Sequence, residues 1–579
     1  MTVSNSSLTL RSAREWVAAS AALGFGLLLA FWVARVYFLL PAGQCHDNHE
    51  SWSYVARLLE FRDCLAAGYL FPQWCTHFRG ALGSPYFSYY QPGLFYVASL
   101  LPAWIPPVRA LGLTVLAFAI LGYAGMYLLV RQRFGGTSGV LAASSLVLSV
   151  YARTEIYIRG DLSEFAAMMT LPSALYLLWK WLHTGSRWSA VASAICCAAL
   201  VLLHPAVALM GYGAMAVALL IYALDTRRVG VLLSGGAILA IGTGLAAFYW
   251  LPVALEWQYE SAENAYRGDD HYARHFVEPA ALFTSIDRGD AVPFTLGPVL
   301  PAVVFCNALL LLIRWNDTTR GERRYFAAVL VTFTVAIWLI SPYSAAVWPH
   351  LPLLEKLKFP WRFLALATVA GAAAAGAMLP WRMERRRRLL IGFVLAVMFA
   401  HSSHATSIRP APARPAPQEA ADLARVFFAP DWQDEWLPRG ADADAGQNPP
   451  HHVIEGPGCQ VNRFSLSQGT LRCHVQSPRA SFVELPHYYF PVGWQATFAG
   501  RPVPLGMSVG GRMRVELHAQ SAGWLEVRFT STPMRRWGLL ISAASLLCGL
   551  PLVALWAPHG RVKRAAPSPL PQPLRPAVV

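Results

Sequence analysis

A run of twenty residues without a charged side chain, Leu111 to Val130, constrains this chain more than any other feature. About 20 apolar residues in a helix cross the hydrocarbon core of a bilayer. The whole sequence agrees, because only 14% of it is charged, against roughly 25% in soluble domains. The sequence therefore predicts an all-α polytopic membrane protein and excludes a single water-soluble enzyme.

The same criterion predicts about twelve transmembrane helices. They lie near residues 16–40, 107–130, 137–151, 165–182, 187–203, 205–223, 229–252, 295–313, 322–340, 362–380, 389–403 and 537–557. The first resembles a signal peptide, but its apolar core is too long and further spans follow, so we interpret it as uncleaved. The apolar segment Pro92 to Trp104 is predicted to be a re-entrant or interfacial helix, because another crossing would invert all later spans.

Basic residues test this span list, because Lys and Arg concentrate in cytoplasmic loops. With a cytoplasmic N-terminus, every basic cluster of note except Arg535/Arg536 falls inside. We therefore predict a multi-pass protein of the bacterial inner membrane with both termini in the cytoplasm. The net charge of +15 is then a topology signal, and no nucleic-acid partner is predicted.

This topology divides the chain into three parts: a multi-span membrane domain (1–403), a periplasmic linker and β-domain (404–535), and a last span with a cytoplasmic tail (536–579). Four outer loops are predicted, at 41–106, 152–164, 253–294 and 341–361. Ser407 to Ala420 is rich in Pro and Ala and is typical of a linker. The alternating runs after it predict the strands of a small β-sandwich, at Leu471–Val475, Ser481–Leu485, Trp494–Phe498, Met513–Leu517 and Trp524–Phe529. Ala499-Gly500-Arg501 is a predicted hairpin turn.

Five cysteines fall on the predicted outer face, where an oxidising compartment permits disulfides. Cys459 and Cys473 flank a predicted strand pair and are the first candidates for a bridge. Among Cys45, Cys64 and Cys75, one bridge leaves one thiol free, and the sequence does not choose between them.

The first outer loop opens with two acidic side chains, Asp47 and Glu50, directly after the first span. A carboxylate there can act as a general base or bind a divalent cation. The alternative is structural: Asp47 or Asn48 caps a helix that runs from Trp52 to Leu65.

The second outer turn carries five charged residues, among them Arg153, Arg159, Asp161 and Glu164. So many charges between two spans are costly unless they line an aqueous cavity or pair with each other. Asp161 and Glu164 are three residues apart and would share one helix face. The alternative to a functional site is an ion-pair cluster with the two arginines.

Four further residues lie at predicted span ends. His204 precedes Pro205 at a membrane boundary, where a hydrogen-bonded packing role is the alternative to function. Glu256 follows a span end and is expected to face the same aqueous cavity as the second outer turn. Lys358 and Arg362 place cations at the outer end of a span, where Arg can bind a lipid phosphate through two hydrogen bonds. Simple anchoring at the interface is the alternative.

No Walker A, GxGxxG or HExxH motif occurs in the sequence. The features that are present resemble the C-type (GT-C) membrane glycosyltransferases, which carry acidic residues in the first and second outer loops. The run Arg153…Gly160-Asp161…Glu164 is similar to the second-loop motif of oligosaccharyltransferase-type enzymes.

The chain more closely resembles the bacterial membrane proteins called 6-pyruvoyl-tetrahydropterin synthase-related, a label that implies no pterin chemistry. The carrying motifs are Gly83-Ser-Pro85, Tyr89-Tyr90-Gln-Pro92, Arg159-Gly160-Asp161…Glu164, His204-Pro205, Phe359-Pro-Trp-Arg-Phe363 and Tyr488-Tyr-Phe-Pro491…Gly493-Trp494. The last of these, with Gly500…Pro504-Leu505, also looks like the outer β-domain of large envelope glycosylation proteins. A plain DxD is absent from the first loop.

The resemblance implies sugar transfer from a polyprenyl-phosphate donor to an envelope glycan, lipid or protein on the periplasmic face. Asp47 would then deprotonate the acceptor hydroxyl, and Arg362 with Lys358 would hold the departing phosphate. Asp161 and Glu164 would orient the acceptor or a divalent cation, Mg²⁺ or Mn²⁺, for which Asp47 is a second candidate ligand.

Two other classes remain open at this point. A non-catalytic factor for lipid or polysaccharide assembly or translocation would use the outer acids as ion pairs and the β-domain as its working part. A secondary transporter would show charges at mid-membrane and matching halves, and the sequence shows neither.

Overall fold

The computed structural model describes residues 4–261, 271–284, 294–377, 384–407, 413–423, 437–441 and 452–555. Helices occupy all twelve positions predicted for spans. The helices are α1 Ser4–Ala34, α2 Val36–Leu39, α3 Ser51–Ala66, α4 Phe78–Ala81, α5 Tyr86–Tyr89, α6 Gly93–Ser99, α7 Pro107–Phe134, α8 Gly136–Val147, α9 Val150–Arg153, α10 Leu162–Thr184, α11 Arg187–Leu203, α12 Pro205–Thr226, α13 Gly230–Leu245, α14 Ala247–Leu255, α15 Pro279–Leu282, α16 Val299–Ile313, α17 Arg320–Ile340, α18 Pro352–Glu355, α19 Phe363–Gly376, α20 Glu384–Ser407, α21 Ala420–Leu423, α22 Pro533–Ala544 and α23 Leu550–Leu555.

Five of the described helices are long and apolar enough to cross a membrane by length and composition. Their membrane-crossing stretches begin at Trp16, Pro107, Pro205, Arg320 and Pro533. A sixth is obtained if α13 and α14 form one broken span, bent by 79° between them. The protein is thus a membrane protein with several apolar helices, and the count of about twelve crossings stays a prediction.

Two helix predictions need correction. The span predicted at 229–252 is not one straight helix, because α13 ends at Leu245 and the chain turns sharply into α14. The helix predicted at Pro92 to Trp104 is shorter, covering only Gly93–Ser99. Gly93 lies against the backbone of α11, where an added Cβ would stand 2.7 Å from the Leu202 carbonyl.

The C-terminal region forms two antiparallel sheets on one hydrophobic core. Its strands are β3 Ile454–Glu455, β4 Gln460–Ser467, β5 Thr470–Ser477, β6 Ser481–Tyr488, β7 Trp494–Phe498, β8 Arg501–Val503, β9 Gly506–Met507, β10 Arg512–Leu517 and β11 Ser521–Phe529. The sheet orders are β3-β6-β10-β9 and β4-β5-β11-β7-β8. Val483 and Val515 from one sheet pack with Val475 and Val527 from the other, as in a sandwich.

All five predicted strands are confirmed, as is the hairpin turn between β7 and β8. Ala499 and Gly500 both adopt positive φ, at 49° and 76°, which is the backbone of a two-residue type I′ turn.

The predicted linker contains a strand, β2 Ala413–Pro415, which pairs antiparallel with β1, Gln44–His46. The β-sandwich also docks on the first loop. Trp74 is part of its core, and Gly469 N donates to Thr76 Oγ1 at 2.9 Å. The first loop, the second turn, the segment before α19 and the β-sandwich therefore lie at one end of the helices, which we call the loop face.

All nine cysteines are free thiols in the structure. Cys459 and Cys473 are both buried. Burial, followed by the neighbouring Cys459, raises the pKa of the Cys473 thiol to about 12. The two residues are thus neighbours without a bond between them, and their pairing stays a prediction.

Candidate active site at the loop face

The second turn holds its charged residues in an unusual backbone. Residues Thr154–Arg159 form a π-helix turn that continues α9, and such turns are frequent at functional sites. Gly160 follows in the left-handed region, at φ 72°. A Cβ there would stand 2.6 Å from Asn48 Oδ1, so only glycine permits the first loop to approach. Asp161 then caps α10 by accepting from Glu164 N at 3.0 Å.

One buried guanidinium joins three carboxyl groups in this turn. Arg159 Nη1 donates to Glu155 Oε2 at 2.5 Å and to Glu164 Oε2 at 3.0 Å. Its Nη2 donates to Asp161 Oδ2 at 3.2 Å. All four side chains are less than one-tenth exposed. The ion-pair cluster considered from the sequence is therefore present, with Glu155 as an added member and Arg159 as its centre.

His204 and Arg362 approach the same carboxyl groups from other helices. His204 Nε2 lies 3.7 Å from Glu164 Oε2 and 4.0 Å from Asp161 Oδ2. Arg362 Nε lies 3.6 Å from Glu164 Oε2. Five residues predicted separately thus converge, and we call Arg159, Asp161, Glu164, His204 and Arg362 the acidic site.

Aromatic and hydroxyl groups enclose the acidic site. Tyr54 OH donates to Asp161 Oδ1 at 2.8 Å, and Tyr151 OH donates to Glu164 Oε1 at 2.5 Å. The Trp361 ring covers Arg159, with the guanidinium carbon 4.3 Å from the ring centroid. Phe359 and Phe294 stack on that indole, with centroids 4.9 and 4.1 Å away. The carboxylates are therefore shielded from solvent, and their charges interact strongly.

Burial and ion pairing move the pKa values of these groups apart. Burial raises the pKa of Glu155 well above its ordinary value, although Arg159 opposes this. Burial alone would raise the pKa of Asp161, but Arg159, His204, the Glu164 N–H and Arg362 together outweigh burial, and the pKa is lowered. Burial lowers the pKa of His204, against the attraction of Glu164. At neutral pH the structure thus favours an ionised Asp161 and a neutral imidazole.

The other predicted site residues of the first loop lie elsewhere. Asp47 is half-exposed and pairs with Arg414 of β2 at 3.6 Å. Glu50 binds Arg57 Nη1 at 2.8 Å, and that same nitrogen donates to Tyr90 OH at 3.0 Å. Helix α3, Ser51–Ala66, confirms the predicted helix. Its first turn is held by Asn48 Oδ1, which accepts from Ser51 N at 2.8 Å.

Three more predicted residues do not join the acidic site. Arg153 is buried beside Tyr157 and Arg35, and burial lowers its pKa to about 10. Glu256 accepts from Met534 N at 3.1 Å, at the start of α22, so it does not face the same cavity. Lys358 is buried with its ammonium 5.2 Å from the Phe359 ring, which also contacts Arg362 at 5.1 Å.

Asp161, Glu164 and His204 are the described residues whose ligand atoms are close enough for a metal ion, within 4.8 Å of one another. Their arrangement does not fit one. His204 Nδ1 accepts from Val207 N, so the neutral ring carries its proton on Nε2, the atom that faces the carboxylates. Two guanidiniums already face the same two carboxyl groups. Asp47 is not a member of this group, and we derive no step through a metal.

An apolar groove of about 220 Å³ runs along α12 and α17. Leu209, Met210, Leu354, Phe363 and Leu366 are among its lining residues. Phe363 directly follows Arg362, whose Nη1 donates to Leu357 O at 2.8 Å. The Arg362 side chain is 19% exposed, in contrast to the fully buried Glu164. A partly exposed cation is therefore the direct sequence neighbour of a residue that lines the apolar groove.

Sequence reasoning missed Glu155, Tyr54 and Tyr151. The spacing of Glu155 and Arg159, four residues apart, was the signal for an ion pair on one helix face. No sequence signal indicated the two tyrosines, because Tyr54 reaches Asp161 from more than 100 positions away.

The apolar helices, the enclosed charges at their ends and the attached β-sandwich define a polytopic membrane protein with an elaborated loop face. A sequence model of one membrane-protein family matches residues 87–408, which is more than half of the chain. The protein thus belongs to the family described as the 6-pyruvoyl-tetrahydropterin synthase related domain. A search of curated proteins gave no match.

Among solved structures, the chain is similar to the arabinofuranosyltransferase AftD from mycobacteria, with a TM-score of 0.45 and 18% identity. The similarity covers 70% of this chain and 28% of that one. It is also similar to the oligosaccharyltransferase of Archaeoglobus fulgidus tethered with an acceptor peptide, with a TM-score of 0.40 and 14% identity. That match covers 68% of this chain and 55% of the other. The chain thus spans about a quarter and about half of these proteins.

Proposed function

We propose that the protein is an inner-membrane glycosyltransferase that transfers a sugar from a polyprenyl-phosphate donor to an envelope acceptor on the periplasmic face. The observation that carries the proposal is the position of Arg362, a partly exposed cation that lies beside a buried carboxylate and directly precedes Phe363 of the apolar groove. An amphipathic donor needs this pair of environments, one for its phosphate and one for its tail.

The apolar groove supports a lipid-linked donor. Except for Thr332, its lining residues are apolar, and a prenyl chain gains free energy by leaving water for such a surface. The absence of nucleotide-binding motifs from the sequence is consistent with a donor that carries no nucleotide.

Arg362 has the chemistry to assist the departure of the phosphate. In transfer, the bond between the anomeric carbon and the phosphate oxygen breaks, and the polyprenyl phosphate leaves with the bonding electrons. A guanidinium can donate two hydrogen bonds to the oxygens on which this charge develops. Glu164 and the Leu357 carbonyl hold Arg362 in place, so Glu164 is proposed as a positioning residue.

Asp47 is the better candidate for the base that removes the proton from the acceptor hydroxyl. It is half-exposed, whereas Asp161 and Glu164 are enclosed and bound to Arg159. A base must reach the proton that it removes. Asn48, the next residue, donates to the Ile156 carbonyl at 3.2 Å, which keeps this loop beside the second turn.

One observation favours the alternative of a non-catalytic assembly or translocation factor. The carboxyl groups of the second turn are ion-paired with Arg159, as such a factor would have them. The two functions differ in their products, because only the transferase forms a new glycosidic bond.

Mass spectrometry of polyprenyl-linked sugars and envelope glycans tests the proposal in three strains: a deletion, the deletion with wild type, and the deletion with Asp47→Asn at matched protein level. We expect one sugar to be missing from the deletion and its lipid-linked donor to accumulate. Wild type should restore the sugar and remove the accumulated donor, and Asp47→Asn should do neither. Unchanged glycan composition with altered localisation of the polymer would support the assembly factor. Full restoration by Asp47→Asn would remove Asp47 as the base.

Removal of divalent cations should change the transfer rate little. We expect EDTA to lower the activity of the purified protein by less than about threefold, because two arginines supply the positive charge that a metal would supply. Activity with and without added Mn²⁺ and Mg²⁺ gives the measurement. A dependence on Mn²⁺ that disappears in His204→Ala would instead assign a metal site to Asp161, Glu164 and His204.

A further inference from the structure

A cavity of about 610 Å³ lies between the first loop and the five-stranded sheet, separate from the acidic site. Gly68 to Trp74 form one wall, and strands β7 and β11 form the other. Arg535 and Leu539 of α22 complete the lining. We call this cavity the sheet cleft.

The sheet wall of the cleft carries an ordered set of polar groups. Gln495 and Thr497 on β7 are cross-strand partners of Arg528 and Glu526 on β11. Alternate residues of a strand point to the same face, so all four side chains are on the face that borders the cleft. Amide, carboxylate and guanidinium groups can each bond two neighbouring hydroxyls, which is the pattern that a sugar presents.

The loop wall adds aromatic rings and amides with unmade hydrogen bonds. Tyr69, Phe71 and Trp74 line the cleft, and such rings pack against the apolar face of a sugar. Gln73 Nε2 and Gln468 Oε1 are buried without a hydrogen-bond partner. A buried polar atom left unpaired costs about 1–3 kcal/mol, and a hydroxylated ligand between these amides would supply the partners.

The cleft and the acidic site lie near opposite ends of α3. Tyr54 near its start binds Asp161, and Cys64 near its end lines the cleft. Ten residues of α-helix at 1.5 Å each separate them by about 15 Å. A glycan several sugars long could therefore extend from one to the other, whereas a monosaccharide could not.

We propose that the sheet cleft binds the glycan chain of the acceptor, so that the acceptor is an oligosaccharide or polysaccharide. This inference rests on the proposed glycosyltransferase function, whose acceptor class it names. The buried Arg535 at the membrane end of the cleft makes an anionic lipid headgroup the competing occupant.

Direct binding to the full-length protein in nanodiscs tests the proposal. The probes are biotinylated hexasaccharides of arabinan, mannan, galactan, glucan, rhamnan and N-acetylglucosamine, each with its monosaccharide, measured by biolayer interferometry. We expect at least one hexasaccharide to bind, and its monosaccharide to bind at least about tenfold more weakly. The double variant Gln495→Ala/Arg528→Ala should raise Kd at least about tenfold, because it removes several hydrogen bonds, one set of them to a charged group.

Gln460→Ala/Arg501→Ala is the matched control, because it removes the same residue types from exposed positions on edge strands of the same sheet. It should leave Kd unchanged. Equal binding by the cleft variant and wild type, or no binding of any hexasaccharide, would overturn the proposal. A cleft variant that instead loses preference for phosphatidylglycerol over phosphatidylcholine nanodiscs would assign the cleft to a lipid headgroup.

Binding in Asp47→Asn separates this inference from the proposed function. We expect that variant to bind the hexasaccharide as wild type does, because Asp47 does not line the cleft. If the protein binds a glycan but its deletion alters no envelope sugar, glycan binding by the sheet cleft would be supported and the proposed transferase function would be wrong.

Discussion

Replacing Arg362 by Gln is expected to lower kcat/KM for sugar transfer about 10²- to 10³-fold, the usual effect of removing one group that stabilises developing charge. Gln fills similar space but cannot carry the positive charge that faces the leaving phosphate. The measurement is transfer from a synthetic polyprenyl-phosphate sugar in proteoliposomes, with folding checked by size-exclusion chromatography. Arg362→Lys should recover only part of the rate, because an ammonium lacks the planar pair of donors.

Lys356→Gln provides the control for general loss of positive charge. Lys356 is an exposed cation on the same segment, 4.9 Å from the Trp257 ring and not among the residues of the acidic site. Its variant should transfer at nearly the wild-type rate. If Arg362→Gln were equally active, phosphate binding by Arg362 would be wrong, and the groove beside it would lose its connection to the donor.

Local patterns in the sequence were sufficient for the secondary structure and for the members of the acidic site. Apolar runs mark each helix, and period-two alternation with Gly and Pro boundaries marks the strands. Arg159, Asp161, Glu164, His204 and Arg362 were each identified because charged groups at span ends are costly without a purpose. Their convergence depends on how three separate chain segments pack, which no local pattern encodes.

Long-range pairing explains the remaining differences. The Pro/Ala-rich linker contains strand β2 because the first loop offers β1 as a partner more than 350 residues earlier. Glu256 was expected in the cavity because its span end is at the loop face. Hydropathy indicates how deep a residue lies in the membrane, but it does not indicate which way the side chain points. The bend between α13 and α14 turns it toward α22 instead.

Replacing Arg159 by Met should destabilise the protein by about 3–5 kcal/mol, because it leaves buried carboxylates without their counter-charge. Arg159 contacts Glu155, Asp161 and Glu164 together. The measurement is the thermal unfolding midpoint in detergent, compared between pH 7 and pH 5. Arg153→Met is the matched control, since Arg153 is equally buried but has Tyr157 and Arg35 as its electrostatic neighbours. We expect its midpoint to fall much less.

The pH dependence of the unfolding midpoint identifies why Arg159→Met loses stability. In wild type, Arg159 lowers the pKa of Asp161, so this ion pair contributes stability above the unfolded-state pKa and loses it as the pH falls. In Arg159→Met, Glu155 and Asp161 lose the guanidinium that opposes the effect of burial, so the pKa of each of these two carboxyl groups rises relative to wild type. Their protonated forms then favour folding at low pH, and that contribution is lost as the pH rises. The gap in unfolding midpoint between the variant and wild type should therefore narrow from pH 7 to pH 5. A gap that stays constant would mean that lost packing, and not buried charge, destabilises the variant.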